Sequence, residues 1–221
     1  MHKNMPVKKF LTPALERQQA ITNERRAFYT QQDYYPAPPE AIFALLNAEC
    51  ETLRPLASIW DPSAGDGSMA AILRRHGYDV YASDLVDRGC GAKIADFYSF
   101  QAPLSSRIIT KPPVRECTRD LGFVRHALKG LQVDYMALLL PFNLPYTLEC
   151  GDWGGFPPYK IYMMRWNISF RGKDCPTSYY AWFIWRSGFN RGTWLSDLRK
   201  PRILNGITFQ HLSRNRKQND E

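Results

Sequence analysis

The sequence predicts a doubly wound α/β domain on a mostly parallel sheet with an antiparallel edge. Three observations carry this. Short apolar strands alternate with helical segments from Glu40 onward. Tyr135 to Leu140 is an unbroken apolar run bounded by Pro141, and two aromatic-rich strands follow late, on either side of a polar turn. A continuous apolar run marks a strand covered on both faces, and strand–helix alternation marks parallel pairing through crossovers. Ligands of such sheets sit beyond the carboxyl ends of the strands, so chemistry is sought in the turns there.

Taken in order, Thr12-Pro13 is a helix start, with Thr12 as cap and Pro13 at the first helical position. Ala14 to Thr30 then reads as a polar amphipathic helix or arm. The prolines of Asp33-Tyr34-Tyr35-Pro36-Ala37-Pro38-Pro39 end it. Glu40 to Glu51 is helical through Ile42, Leu45 and Leu46, and a strand over Ser58 to Trp60 runs into a glycine-containing turn. Ser68 to Gly77 is a helix, Tyr78 to Ser83 an alternating strand ending at Asp84, and a third strand precedes Asp96. Arg107 to Thr110 is a strand stopped by Lys111-Pro112-Pro113, and Asp120 to Gly130 is helical. Tyr159 to Phe170 and Ser178 to Trp185 form an antiparallel pair around Arg171 to Pro176, with Trp182 and Trp185 alternating with core-facing neighbours. The expected organisation is an arm or helix over residues 1–30, one domain over 31–213 and a polar tail over 214–221.

A chain of 221 residues suffices for one sizeable domain and is short for two cores. No apolar run approaches a membrane span, and basic Met1 to Phe10 lacks the apolar segment of a secretory signal, so a cytoplasmic setting is expected. The five cysteines include no C-x-x-C pair and the four histidines are isolated, which predicts no metal site and no disulfide framework. A net charge of +8, with six Trp, twelve Tyr and twelve Phe, is consistent with a polyanionic partner and equally with a basic surface over an aromatic core.

Three acidic positions follow three strands: Asp61, Asp84 and Asp96. Asp61 opens the turn Asp61-Pro62-Ser63-Ala64-Gly65-Asp66-Gly67, whose glycines permit positive φ and close approach of a ligand to backbone. The helix that follows offers free N–H groups. Asp84 is placed where a carboxylate accepts two hydrogen bonds from ribose hydroxyls. Asp96 is placed to accept from an adenine amine, with Phe97 packing nearby.

This ordered set resembles the S-adenosylmethionine-dependent DNA adenine (N6) methyltransferases, particularly compact members like those encoded by phages. Tyr34 to Pro39 resembles the proline-containing element before the cofactor loop, and Asp61 to Gly67 the loop itself. The resemblance covers about Asp33 to Pro141 and implies a class I methyltransferase (Rossmann-like) fold with S-adenosylmethionine as cofactor. It implies that Asp61 binds the methionine ammonium, Asp84 the ribose and Asp96 the adenine. Ser63, Ala64, Gly65 and Gly67 line the cofactor. It further implies nucleic acid, DNA in particular, as partner, and a catalytic motif at Lys111, Pro112 and Pro113.

At that motif the chain departs from the family. Amine-methylating members end the fourth strand in Asn, Asp or Ser, then Pro-Pro and an aromatic residue. This chain has Lys111-Pro112-Pro113-Val114. An exocyclic amine shares its lone pair with the base, so acceptors are needed to hold its two protons, and an ammonium has three donors and no acceptor. Burial could neutralise Lys111 and let it accept; alternatively its ammonium could turn toward Asp61 or Asp66. Val114 removes a ring for stacking, for which Phe142, Tyr146, Phe156 and Tyr159 are the available substitutes. Phe156-Pro157-Pro158-Tyr159 imitates the motif but follows the fifth strand and reads as a loop. Two outcomes compete: an active methyltransferase with altered acceptor chemistry, and a catalytically degenerate relative that binds nucleic acid or protein. RNA or a protein amide is a third class of acceptor or partner. Lys8, Lys9, Arg25, Arg26, Arg115, Arg119, Arg125, Arg199, Lys200, Arg202, Arg214, Arg216 and Lys217 read equally as phosphate contacts and as a solvated basic surface. Trp153 reads as a loop residue, either touching substrate or anchoring the loop.

Overall fold

The computed structural model describes residues 12–31, 35–54, 57–118, 120–149, 151–168, 179–201, 203–204 and 207–208. Lys8, Lys9, Arg119, Arg171 to Pro176, Arg202, Arg214, Arg216, Lys217 and the expected tail lie outside the described residues. The chain divides into two units, residues 1–34 and 35–221.

In the first unit, helix α1 spans Pro13–Gln31. Its start is as the sequence predicts: the Thr12 hydroxyl accepts from the Leu15 N–H at 3.4 Å and Pro13 takes the first position. The expected amphipathic pattern is not there. Leu15, Ile21 and Phe28 are all exposed, because no three of its apolar residues recur on one side closely enough to form a stripe.

In the second unit Pro38 is extended, and Pro39 starts helix α2, Pro39–Ala48. Strand β1 (Ser58–Asp61), helix α3 (Ser68–Arg75), β2 (Asp79–Asp84), β3 (Lys93–Ile94) and β4 (Arg107–Thr110) follow. Helix α4 is shorter than expected, Gly122–Arg125, continued by a wide π turn over His126–Gly130. Its start is displaced from Asp120 because Leu121 takes positive φ (55°), which no helical residue does. Strand β5 is Tyr135–Pro141, β6 Lys160–Met164, β7 Tyr180–Arg186 and β8 Trp194–Leu198.

Among the described residues these strands form one eight-stranded sheet in the order β3-β2-β1-β4-β5-β7-β6-β8. β1 to β5 pair in parallel. β7 runs antiparallel to both β5 and β6, with Leu138 opposite Phe183 and Ile161 opposite Phe183 from the other side. The antiparallel element lies toward one side of the sheet, and β8, parallel to β6, is outermost. β6 is shorter than the expected Tyr159 to Phe170, and β8 has no counterpart in the sequence reading.

Side chains alternate between two cores. Ile59, Ile109, Ala137, Leu139, Trp182 and Ile184 pack with α2 and α3 on one face. Trp60, Ile108, Met136, Leu138, Phe183 and Trp185 pack with Phe123 and Val124 of α4 on the other. Trp182 and Trp185 therefore do not alternate with core-facing neighbours: every residue from Ala181 to Trp185 is buried, since β7 is covered on both faces. Their indoles donate to the carbonyls of Ala41 and Phe156, both at 2.9 Å. The Trp60 indole donates to Ser83 Oγ at 2.9 Å and ties β1 to β2. At the amino edge of the sheet, buried Glu49 accepts from Tyr162 Oη at 2.7 Å and pairs with Arg186 at 3.3 Å, holding the end of α2 to β6 and β7.

Candidate cofactor and acceptor site

Parallel pairing of β1 to β4 brings their carboxyl ends side by side, and with them Asp61, Asp84 and Lys111. Asp96 follows β3 at the same edge. Asp61 closes β1 and is buried. Its Oδ1 accepts from Thr110 Oγ1 at 2.6 Å and from the Ser63 N–H at 3.4 Å. Burial outweighs these bonds and pushes its carboxyl from an ordinary 3.8 up to about 7; Asp84 adds to the rise, while Thr110, Ser63 and Arg74 oppose it. An acid held there ionises when a cation arrives.

The turn from Pro62 to Gly67 is held at several points. The Ala64 N–H donates to the Ser83 carbonyl at 3.0 Å, and the Gly67 N–H to the Ala64 carbonyl at 2.8 Å. Gly67 takes φ 77° at the start of α3, and a Cβ there would lie 2.9 Å from Cys90 Cβ. Only glycine meets both demands. The Cys90 thiol donates to the Gly65 carbonyl at 3.2 Å, so the loop after β2 lies against the turn. The sequence singles out no role for Cys90.

Asp84 braces the same turn. Oδ2 accepts from the Gly65 N–H at 2.8 Å and Oδ1 from the Val86 N–H at 2.9 Å. Each carboxylate oxygen keeps a second lone pair, so Asp84 retains capacity for a hydroxyl pair. Asp96 is buried, and its Oδ1 caps the short 3-10 turn Phe97–Ser99 by accepting from the Tyr98 N–H at 3.0 Å. Phe97 packs next to it as the sequence suggests: it stacks on Phe123 (4.1 Å between centroids, 16° between planes) and packs against Trp60 in the core. The Phe-after-Asp pattern thus serves packing.

At the end of β4, Thr110 and Pro112 are buried and Lys111 is half-buried. Loss of hydration pulls the Lys111 amine from 10.5 down to about 8. Val114 starts a 3-10 turn, Val114–Glu116, whose Glu116 accepts from Tyr98 Oη at 3.0 Å.

Of the four aromatic residues that could replace a ring at 114, two are engaged elsewhere. Phe156 packs in the core behind Trp185. Tyr159 lies under the Arg186 guanidinium, 4.1 Å from its ring centroid, and against Phe189. Phe142, at the end of β5, and Tyr146 are exposed. Trp153 packs on Phe183 and Trp185, as a loop anchor does. Among the basic residues, Arg125 binds the Asp120 carbonyl at 2.7 Å and Lys200 pairs with Glu40 at 3.8 Å, while Arg115 and Arg199 are exposed.

Strand order 3-2-1-4-5-7-6, with the seventh strand reversed between the fifth and sixth, defines a class I methyltransferase (Rossmann-like) fold, extended here by β8. Comparison with solved structures agrees with that fold. The chain is similar to the methyltransferase subunit of a type I restriction-modification system from Streptococcus thermophilus, with TM-score 0.50 and 13% identity over 85% of this chain and 54% of that one. It is similar also to a candidate RNA methyltransferase from Pyrococcus horikoshii, with TM-score 0.50 and 14% identity over 77% of this chain and 98% of that one. The chain thus spans about half the length of the restriction-modification subunit. No protein-family model and no curated protein matches the sequence. Among the described residues, no helix is long and apolar enough to cross a membrane.

Proposed function

We propose that the chain is an S-adenosylmethionine-dependent methyltransferase that acts on nucleic acid, at an adenine exocyclic amine in DNA, in a cytoplasmic setting. The observation that carries this is the row of carboxylates at the ends of β1, β2 and β3 beside Lys111-Pro112-Pro113 just after β4. That donor set fits the cofactor. A buried acid without a full counter-charge suits an ammonium, a braced carboxylate with spare lone pairs suits ribose hydroxyls, and a third carboxylate suits an adenine amine. Asp61, Asp84 and Asp96 would hold those three groups, and the backbone of Ser63, Ala64, Gly65 and Gly67 would line the rest. When bound, the cofactor supplies an electrophilic methyl group.

The protein's part at the acceptor falls to Lys111. As an amine it has one lone pair and accepts one proton of the target nitrogen; as an ammonium it accepts none. With its amine at about 8, roughly a tenth is neutral at pH 7 and most is neutral at pH 9. A cation bound beside it favours the neutral form further. The carbonyl of Pro112 is the second acceptor in this scheme. Support for nucleic acid as substrate comes from the family resemblance of the motifs, the net charge of +8 and exposed Arg115 at the acceptor edge.

The test is transfer of labelled methyl to unmethylated DNA, with RNA in parallel, between pH 7 and 9.5. The rate on DNA should climb through a midpoint near 8 and level off. Transfer to RNA alone would move the substrate assignment. Inactivity on both, with cofactor bound, would favour the second reading: a binding module on this fold, for which the predominance of the Lys111 ammonium at neutral pH is the specific observation.

A further inference from the structure

Thr110 sits between the two halves of the site. It is the last residue of β4, fully buried, and immediately precedes Lys111. Its hydroxyl does not turn back to its own strand, as a threonine in a β-strand is free to do. It crosses to β1 and donates to Asp61 Oδ1 at 2.6 Å, at the short end of O–H···O bonds. Both partners are buried, Asp61 at 1% and Thr110 at 0% exposure, so the bond has little competition from bulk solvent.

We propose that Thr110 is a positioning residue for the cofactor: its hydroxyl aims the Asp61 carboxylate and favours the ionised form that an ammonium ligand requires. This rests on the reading of Asp61 as the group that binds the methionine ammonium. A hydroxyl is a donor to the carboxylate, and donation to the charged form favours that form. The other groups facing Asp61 leave room for such a bond to matter. Asp84 on β2 opposes ionisation, Arg74 on α3 favours it from a distance, and the Ser63 N–H makes a longer bond at 3.4 Å. Lys111 is the next residue along β4.

The sequence alone hides this residue. A threonine at the end of a strand is an ordinary β-former, and only the parallel pairing of β1 with β4 brings it against Asp61.

The experiment compares Thr110→Val, which keeps the shape and removes the donor, with Thr110→Ser, which keeps the donor. Binding of S-adenosylmethionine is measured by calorimetry from pH 5.5 to 8.5. Thr110→Val should bind about ten- to a hundredfold more weakly at pH 7, and its affinity should level off about one to two pH units higher than in the parent chain. Thr110→Ser should restore both. A Val variant with the parent's affinity and pH profile overturns the proposal, as does a Ser variant that loses as much as Val. The carboxyl 13C titration of Asp61 in the free protein gives a second measurement. Its midpoint should rise in Thr110→Val, and an unmoved midpoint overturns the proposal. If the parent chain binds no cofactor at any pH, the cofactor reading fails, while the 13C titration still decides whether Thr110 governs Asp61.

Discussion

Replacing Lys111 by Met should make the protein more stable, which is unusual for a substitution in a packed region. The amine is held at about 8 against an ordinary 10.5, and the cause is loss of hydration. The sign follows from linkage. A lysine whose amine is depressed on folding binds its proton less tightly in the fold than in the unfolded chain, so ionised Lys111 opposes folding. The opposition is complete below pH 8 and fades between 8 and 10.5 as the unfolded chain also loses its proton. Converting the difference gives roughly 3 kcal/mol at pH 7 and about 1 kcal/mol at pH 10. Methionine keeps most of the aliphatic stem, so the loss of packing is small. Guanidinium chloride cannot be used to resolve a charge effect at low salt, so urea denaturation at pH 7, 8, 9 and 10 is the assay. The parent should gain stability relative to Lys111→Met as pH rises, the difference shrinking to about a third of its pH 7 value by pH 10. A Met variant no more stable than the parent at pH 7, or a difference that does not change with pH, would refute a desolvated Lys111.

Asp61→Asn works in the opposite pH direction. With its carboxyl raised to about 7, ionised Asp61 opposes folding by an amount that grows from pH 3.8 and saturates above 7, reaching roughly 4 kcal/mol; a flat stability difference between parent and variant across pH 4 to 8 would contradict this. Arg186→Met leaves Glu49 buried without the guanidinium, and should cost about 3 kcal/mol in urea denaturation, with Glu49→Gln restoring part of it in the double variant. Gly67→Ala meets both positive φ and the Cys90 Cβ, so it should lose about 1–2 kcal/mol. Cys90→Gly should relieve the contact and leave the backbone strain, recovering part of the loss in a double-mutant cycle.

The parallel half of the fold was legible because its signals are local. Tyr135 to Leu140 is apolar at every position, and Arg107 to Thr110 ends on two prolines, so both strands were placed within a residue. Asp61 to Gly67 announced itself through two glycines and the acids around them. What stayed hidden depends on neighbours distant in sequence. β8 carries exposed Trp194 and Leu195, interrupted by Ser196 and Asp197, and becomes a strand only because β6 offers it an edge. Phe97 was expected to pack near Asp96, but its partners Phe123 and Trp60, brought in by α4 and β1, could not be read from the sequence. Thr110 and Cys90 have no motif at all; their contacts with Asp61 and Gly65 exist only once the strand ends are side by side.

The reversed strand β7 has a kinetic consequence. Its partner β5 is apolar along its length and presents a free edge until residues Tyr180 to Arg186 arrive, about forty-five positions later in the chain. During that interval β5 is the kind of unpaired edge on which chains associate. Closure by β7 pairs seven successive residues and brings Trp182 to one core and Trp185 to the other in a single event. A chain with β5 formed and β7 not yet paired therefore carries an exposed apolar edge beside two unsealed cores. Substitutions that weaken β7 should lower the yield of folded protein.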